Sequence, residues 1–161
     1  MDANENNQID SQSPSPRADK ALKLFFEGYS CSQSIAGAFA DVLNLSTEEA
    51  MRLTAGFGAG MGDHKSICGT VSGMIVVAGA HKGDYAPNDL RAKKELYDLV
   101  KSLKAEFEQK FETTNCNLLL QKAACLPKPA PSERNAEYYA KRPCASFVDA
   151  AARILEKHIN S

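Results

Sequence analysis

The chain has 161 residues, 43% of them apolar, which suffices for one ordinary hydrophobic core and not for two, so a single domain is expected. A formal charge of −1 and a pI of about 6.3 leave no basic excess to draw the protein to nucleic acid or an acidic lipid surface. The most apolar stretch, residues 67–80, is broken by Thr70 and Ser72 and ends at His81-Lys82, short of the roughly 18 apolar residues that a span requires, so no direct membrane insertion is expected.

The N-terminal MDANENNQIDSQSPSPR has no basic region followed by an apolar run, so it does not read as a secretory signal. Polar and proline-bearing, it predicts a disordered tail over residues 1–15 ahead of an ordered domain over 16–161, in a soluble, cytoplasmic protein.

Ser15-Pro16 predicts a helix start, and Leu22, Phe25 and Phe26 give that helix, over 16–27, an apolar face before Gly28 stops it. Ser30 then caps CSQSIAGAFADVLNL, in which Ile35, Phe39, Val42 and Leu43 recur at helical spacing. Ser46 and Glu49 have capping-box spacing and open a third helix through Met51 and Leu53 toward Phe57, ended by the glycines at 56–62. Ser66 is expected to cap a central buried helix over 67–79, apolar on most of its surface. Asn88 or Asp89 opens the longest helix, to residue 111, with Leu96, Val100, Leu103, Phe107 and Phe111 on one face. Thr114-Asn115 caps CNLLLQKAA, LPKPAPS imposes an extended connection, and Pro143 begins a last helix with Phe147, Val148, Ala151, Ile154 and Leu155 inward. No segment alternates with period two, so the fold class is all-α, a single-domain bundle of about six helices.

Six of the ten glycines fall in GFGAGMGDHKSICGTVSG, residues 56–73. The run follows no strand and matches neither dinucleotide nor P-loop spacing, although Lys65-Ser66 at an expected helix start is a candidate anion contact. The stronger reading is steric: glycines 56–62 permit tight turns, while Gly69 and Gly73, four residues apart, give the buried helix a smooth face that lets Cys31 approach Cys68.

There are five cysteines, an odd number in a chain without an export signal, so a framework of structural disulfides is a poor explanation. Cys31, Cys68, Cys116 and Cys144 sit behind Ser30, Ser66, Asn115 and Pro143, each at a predicted helix N-terminus; Cys125 lies near a helix end. Free N–H groups and the positive dipole end favour thiolate over thiol, and thiolate is the form that attacks sulfur or ligates metal. A free thiol is only about 3% ionised at pH 7, so lowering its pKa by about two units makes it mostly thiolate. The four are spaced 37, 48 and 28 residues apart with no C-x-x-C, so any site is assembled in three dimensions from separate helices. His64, four residues before Cys68, is a candidate base or fourth ligand, with a solvent-facing loop position as its simpler reading. Asp63 reads as a turn residue whose charge would oppose a low thiol pKa nearby. His81 and His158, at helix ends, need no special role.

These cysteines in these contexts, GYSCSQSI, CGTVSG after the glycine run, TTNC and RPCASFV, resemble the C-GCAxxG-C-C family, a group regarded as redox-active and defined by four recurrent cysteines. The resemblance covers residues 21–158; Thr70 stands where the family usually has alanine, and Cys125 is outside the pattern. It implies a redox role for Cys31, Cys68, Cys116 and Cys144 without naming a substrate. Similar domains occur in proteins with heme or iron–sulfur centres, and neighbouring transporter genes imply a membrane transport system as a partner.

Three functions follow as alternatives. The first is thiol-dependent redox chemistry, an oxidoreductase activity in which at least one pair of the four cysteines cycles between dithiol and disulfide. The second has the same four ligating an iron–sulfur cluster or zinc as cofactor. The third is a non-enzymatic helical interaction module whose cysteines merely pack.

Overall fold

The computed structural model describes residues 13–125 and 131–160, and every regular element among them is helical; an isolated antiparallel bridge joins Ile67 to Asn115. The elements are α1 (Pro16–Phe26), α2 (Cys31–Ala38), α3 (Thr47–Thr54), a 3-10 turn (Ala55–Phe57), the short turn α4 (Gly58–Met61), α5 (Gly69–Lys82), α6 (Leu90–Phe111), α7 (Cys116–Lys122), α8 (Ala136–Lys141) and α9 (Cys144–Ile159). Most of the tail expected over residues 1–15 lies outside the described residues. At its end, Ser15 Oγ donates to Glu156 at 2.6 Å and Arg153 reaches the Ser13 carbonyl, so residues 13–15 are anchored on α9.

Local sequence sets most helix starts. Ser15, Asp89, Asn115 and Asn135 each accept a backbone N–H of the following turn, and Ser30 with Gln33 and Ser46 with Glu49 form reciprocal capping boxes. Three expectations change. The second helix stops at Ala38 because the Arg17 guanidinium takes the Ala38 carbonyl at 3.0 Å; Val42 N–H bonds instead three residues back, to Phe39. The central helix begins at Gly69 rather than 67, because Ser66, Ile67 and Cys68 are extended and paired with the segment before α7. Helix α8 was not expected: its six residues bury no side chain fully, so they carry no apolar stripe to read.

α5 is the central helix, packed on α2, α6 and α9, and α9 also packs on α1. One core runs through them, with Phe25, Ile35, Phe39, Val71, Met74, Leu103, Phe107, Val148 and Leu155 all buried. Gly69 and Gly73 set the distance between α5 and α2. A Cβ on Gly73 would lie 2.8 Å from the Ile35 Cβ, and one on Gly69 would lie 3.2 Å from the Cys31 Cβ. Real Cβ atoms do not approach closer than about 3 Å, so the helices meet at a spacing that only glycine allows at position 73.

Two substitutions in the same helix should therefore move stability in opposite directions. Gly73→Ala forces α5 off α2 and should cost about 1–3 kcal/mol. Gly79→Ala, where a Cβ would meet nothing within 4 Å, should gain up to about 1 kcal/mol from helix propensity. Urea denaturation of both variants checks this, and equal shifts would contradict the close-approach account.

Candidate functional site

The four pattern cysteines arrive at one place from four elements. Cys31, Cys116 and Cys144 are the first residues of α2, α7 and α9, and Cys68 is the N-cap of α5. All four line a single cavity of about 430 Å³, and all are free thiols. Cys68 and Cys144 are nearly inaccessible, at 3% and 8% exposure, so chemistry at these sulfurs reaches them through the cavity.

The wall between Cys68 and Cys116 is the glycine run. Gly60 has φ of +70°, and a Cβ there would lie 2.8 Å from the Cys116 Cβ and 2.7 Å from the Lys65 Cα, so no other residue fits. Ala59, Met61, Asp63 and Lys65 are also left-handed, at a cost of about 1 kcal/mol each. Tertiary bonds offset that strain: Lys65 N–H donates to Ala59, Ser66 N–H to Gly60, Cys116 N–H to Ser66 and Asn117 N–H to Lys65. The same bonds consume donors at the start of α7, so those donors are not free to stabilise a Cys116 thiolate.

Ionisation departs from the sequence expectation at three of the four cysteines. Burial pushes the Cys68 thiol up to about 12, even though the Thr70 hydroxyl, 3.1 Å away, and the Thr70 N–H favour its thiolate. Burial likewise pushes Cys116 up to about 11, helped by the charge of Cys144 and less by Asp63, and opposed by Lys65 and Arg142. A helix terminus contributes roughly 0.3–1 kcal/mol, whereas removing a thiolate from water costs several, so desolvation wins. Cys144 goes the other way. It is held below the ordinary thiol value chiefly by a hydrogen bond from Cys31, then by the charges of Arg142 and Arg134, which together outweigh its burial. Cys31 is raised for the complementary reason: its proton is held against Cys144, and burial adds to the effect. The two thiols titrate as a coupled pair in which the proton is favoured on Cys31.

The basic side chains are the functional residues that sequence reasoning missed. Arg142 precedes Cys144 by two residues, a proximity that could have marked it. Arg134 carried no signal, since its position on the connection before α8 is a tertiary fact. Its guanidinium stacks over Phe25, Tyr138 and Tyr139, with ring centroids 5.0, 4.4 and 5.9 Å away. Its Nη1 is buried with no hydrogen-bond partner among the described residues. Leaving such a donor unmet costs about 1–3 kcal/mol. Lys65 also lines the cavity and is ion-paired with Asp63.

His64 is exposed on the loop and is not part of the cavity wall, in keeping with the solvent-facing reading. His81 is exposed, and His158 contacts Glu106 on α6 at 2.6 Å. Cys125 donates from its sulfur to the Lys141 carbonyl at 2.9 Å and is not in the wall. Among the described residues no three His, Cys, Asp or Glu side chains are disposed to hold a metal ion.

No described helix is long and apolar enough to cross a membrane. Searches among curated proteins and among solved structures found no match. The family described as "Putative redox-active protein (C_GCAxxG_C_C)" matches residues 29–158, a span that holds Cys31, Cys68, Cys116, Cys144 and both arginines. Most of the chain falls inside that match, and the chain belongs to the C-GCAxxG-C-C family.

Proposed function

We propose that the protein is a thiol–disulfide redox protein in which Cys144 is the attacking thiolate and Cys31 the resolving thiol. The observation that carries this reading is the placement of Cys31 and Cys144 at the starts of α2 and α9 in the wall of one cavity, which Arg142 and Arg134 also line. A cysteine that merely packs gains nothing from two guanidinium groups, which favours chemistry over the interaction-module reading.

The coupling orders the steps. The Cys144 thiolate attacks one sulfur of a disulfide R–S–S–R; the S–S bond breaks, and RS⁻ leaves with its electron pair and takes a proton from solvent. A mixed disulfide now stands at Cys144, and the negative charge that held the proton on Cys31 is gone. Cys31 then loses its proton to water, and its thiolate attacks the Cys144 sulfur and expels the second RS⁻. The substrate disulfide is reduced by two electrons to two thiols, and the Cys31–Cys144 dithiol is oxidised to a disulfide. Cys68 and Cys116, kept neutral by burial, remain thiols and line the cavity.

Alkylation with iodoacetamide between pH 5 and 10, read by peptide mass mapping, should show Cys144 titrating below the ordinary thiol value, with Cys31, Cys68 and Cys116 lagging. Cys31→Ala removes the donated hydrogen bond and Arg142→Gln removes a favourable charge, so each should raise the Cys144 midpoint. A Cys144 midpoint at or above that of a free thiol would end this reading.

Oxidation of the reduced protein with the neutral bis(2-hydroxyethyl) disulfide should give a Cys31–Cys144 linkage as the major product. Predominant linkage through Cys68 or Cys125 would contradict the assignment. Stoichiometric iron or zinc in anaerobically purified protein would instead favour the ligating role of the same four cysteines.

A further inference from the structure

The pair needs a source of disulfide, and the cavity in front of it has a definite chemistry. Its volume of about 430 Å³ is that of a small-molecule site, and the 8% exposure of Cys144 keeps the disulfide of a folded protein from reaching the sulfur. Leu119, Leu120 and Phe147 supply an apolar wall. The charged wall is basic: Asp63, the one carboxylate among the described lining residues, is already ion-paired with Lys65, while Arg134 and Arg142 face the same space.

The arginines divide the work. The Arg142 charge favours the Cys144 thiolate. Arg134 lines the cavity and is fixed over three aromatic rings, so little freedom remains to be lost on binding. A guanidinium fork in such a site matches a carboxylate, which accepts two parallel hydrogen bonds.

Resting on the Cys31–Cys144 reading, we propose that the cavity takes a small disulfide bearing a carboxylate, held by Arg134 while Cys144 attacks its sulfur. The substrate class is thus a low-molecular-weight anionic disulfide, reduced to two thiols as the protein pair is oxidised.

The test compares dithiodiglycolate, which carries two carboxylates, with neutral bis(2-hydroxyethyl) disulfide as oxidants of the reduced full chain, reading Cys144 oxidation by stopped-flow quench and mass mapping. The quantity is the ratio of the two second-order rate constants in wild type divided by that ratio in Arg134→Gln. Intrinsic probe reactivity and any change in Cys144 ionisation cancel, because both probes meet the same thiolate. The wild-type ratio should exceed the variant's by at least about tenfold, the worth of a charge-assisted hydrogen bond. In wild type, added salt should slow the anionic probe and leave the neutral one unchanged.

An unchanged ratio with no salt effect would overturn the proposal. Should Arg134→Gln not fold, the wild-type salt series and Arg134→Lys, which keeps the charge and loses the fork, decide the matter. If the neutral probe forms the Cys31–Cys144 disulfide while the ratio does not move, the substrate class alone is wrong. If neither probe forms that disulfide, the redox pairing is wrong and the substrate class falls with it.

Discussion

The approach of α5 to α2 is the constraint from which the site follows. Gly73 against Ile35 brings two backbones to a separation that a side chain would forbid, and Gly69 packs tightly against Cys31 beside it. This seats Cys31 beside the N-cap of α5, where Cys68 sits, and α9, packed on both helices, brings in Cys144. On the other side, the left-handed turn at Gly60 and the pairing of Ser66 and Cys68 with the segment before α7 deliver Cys116. Backbone strain in residues 59–65 and glycine in a helix interior both cost stability, and the assembly of the four-thiol cavity is what they make possible.

Within that cavity, four similar positions behave differently. All four sulfurs lie at helix starts, and in each case the local dipole has the same sign. Cys68 and Cys116 stay protonated because burial removes more thiolate stability than a terminus restores. Cys144 is held below the ordinary thiol value because three partners converge on it: the Cys31 thiol from α2, Arg142 just before α9, and Arg134 from the connection before α8. Helix-terminal placement is a shared background, and the partners supply the difference. Thr70 makes the same point, since the hydroxyl it adds to the family pattern lies on the Cys68 sulfur and still does not outweigh burial.

The coupling between Cys31 and Cys144 also gives the pair a direction. A Cys144 thiolate favours the proton on Cys31, which in the proposed reaction keeps the second sulfur quiet. In the proposed reaction, consuming the charge on Cys144 is what frees Cys31. An arrangement of this kind needs no separate base, consistent with a wall that has no histidine among its described residues.

Much of the helical framework was legible in the sequence because its signals are local. Ser15-Pro16, Ser30 with Gln33, Ser46 with Glu49, Asp89 and Asn115 fix helix starts through bonds that span three residues. The Gly69–Gly73 spacing announced a close packing face, and the four cysteines with their neighbours were sufficient to indicate the family. The early end of α2 was hidden because it depends on Arg17, twenty-one positions before the carbonyl it takes. The later start of α5 was hidden because it depends on pairing with residues 114–116. Which thiol is shifted toward its ionised form was decided only by the tertiary structure. A thiol's pKa is set by the water it loses and the charges it meets, and for Cys144 those include, besides the neighbouring Arg142, Cys31 and Arg134, 113 and 10 residues away along the chain.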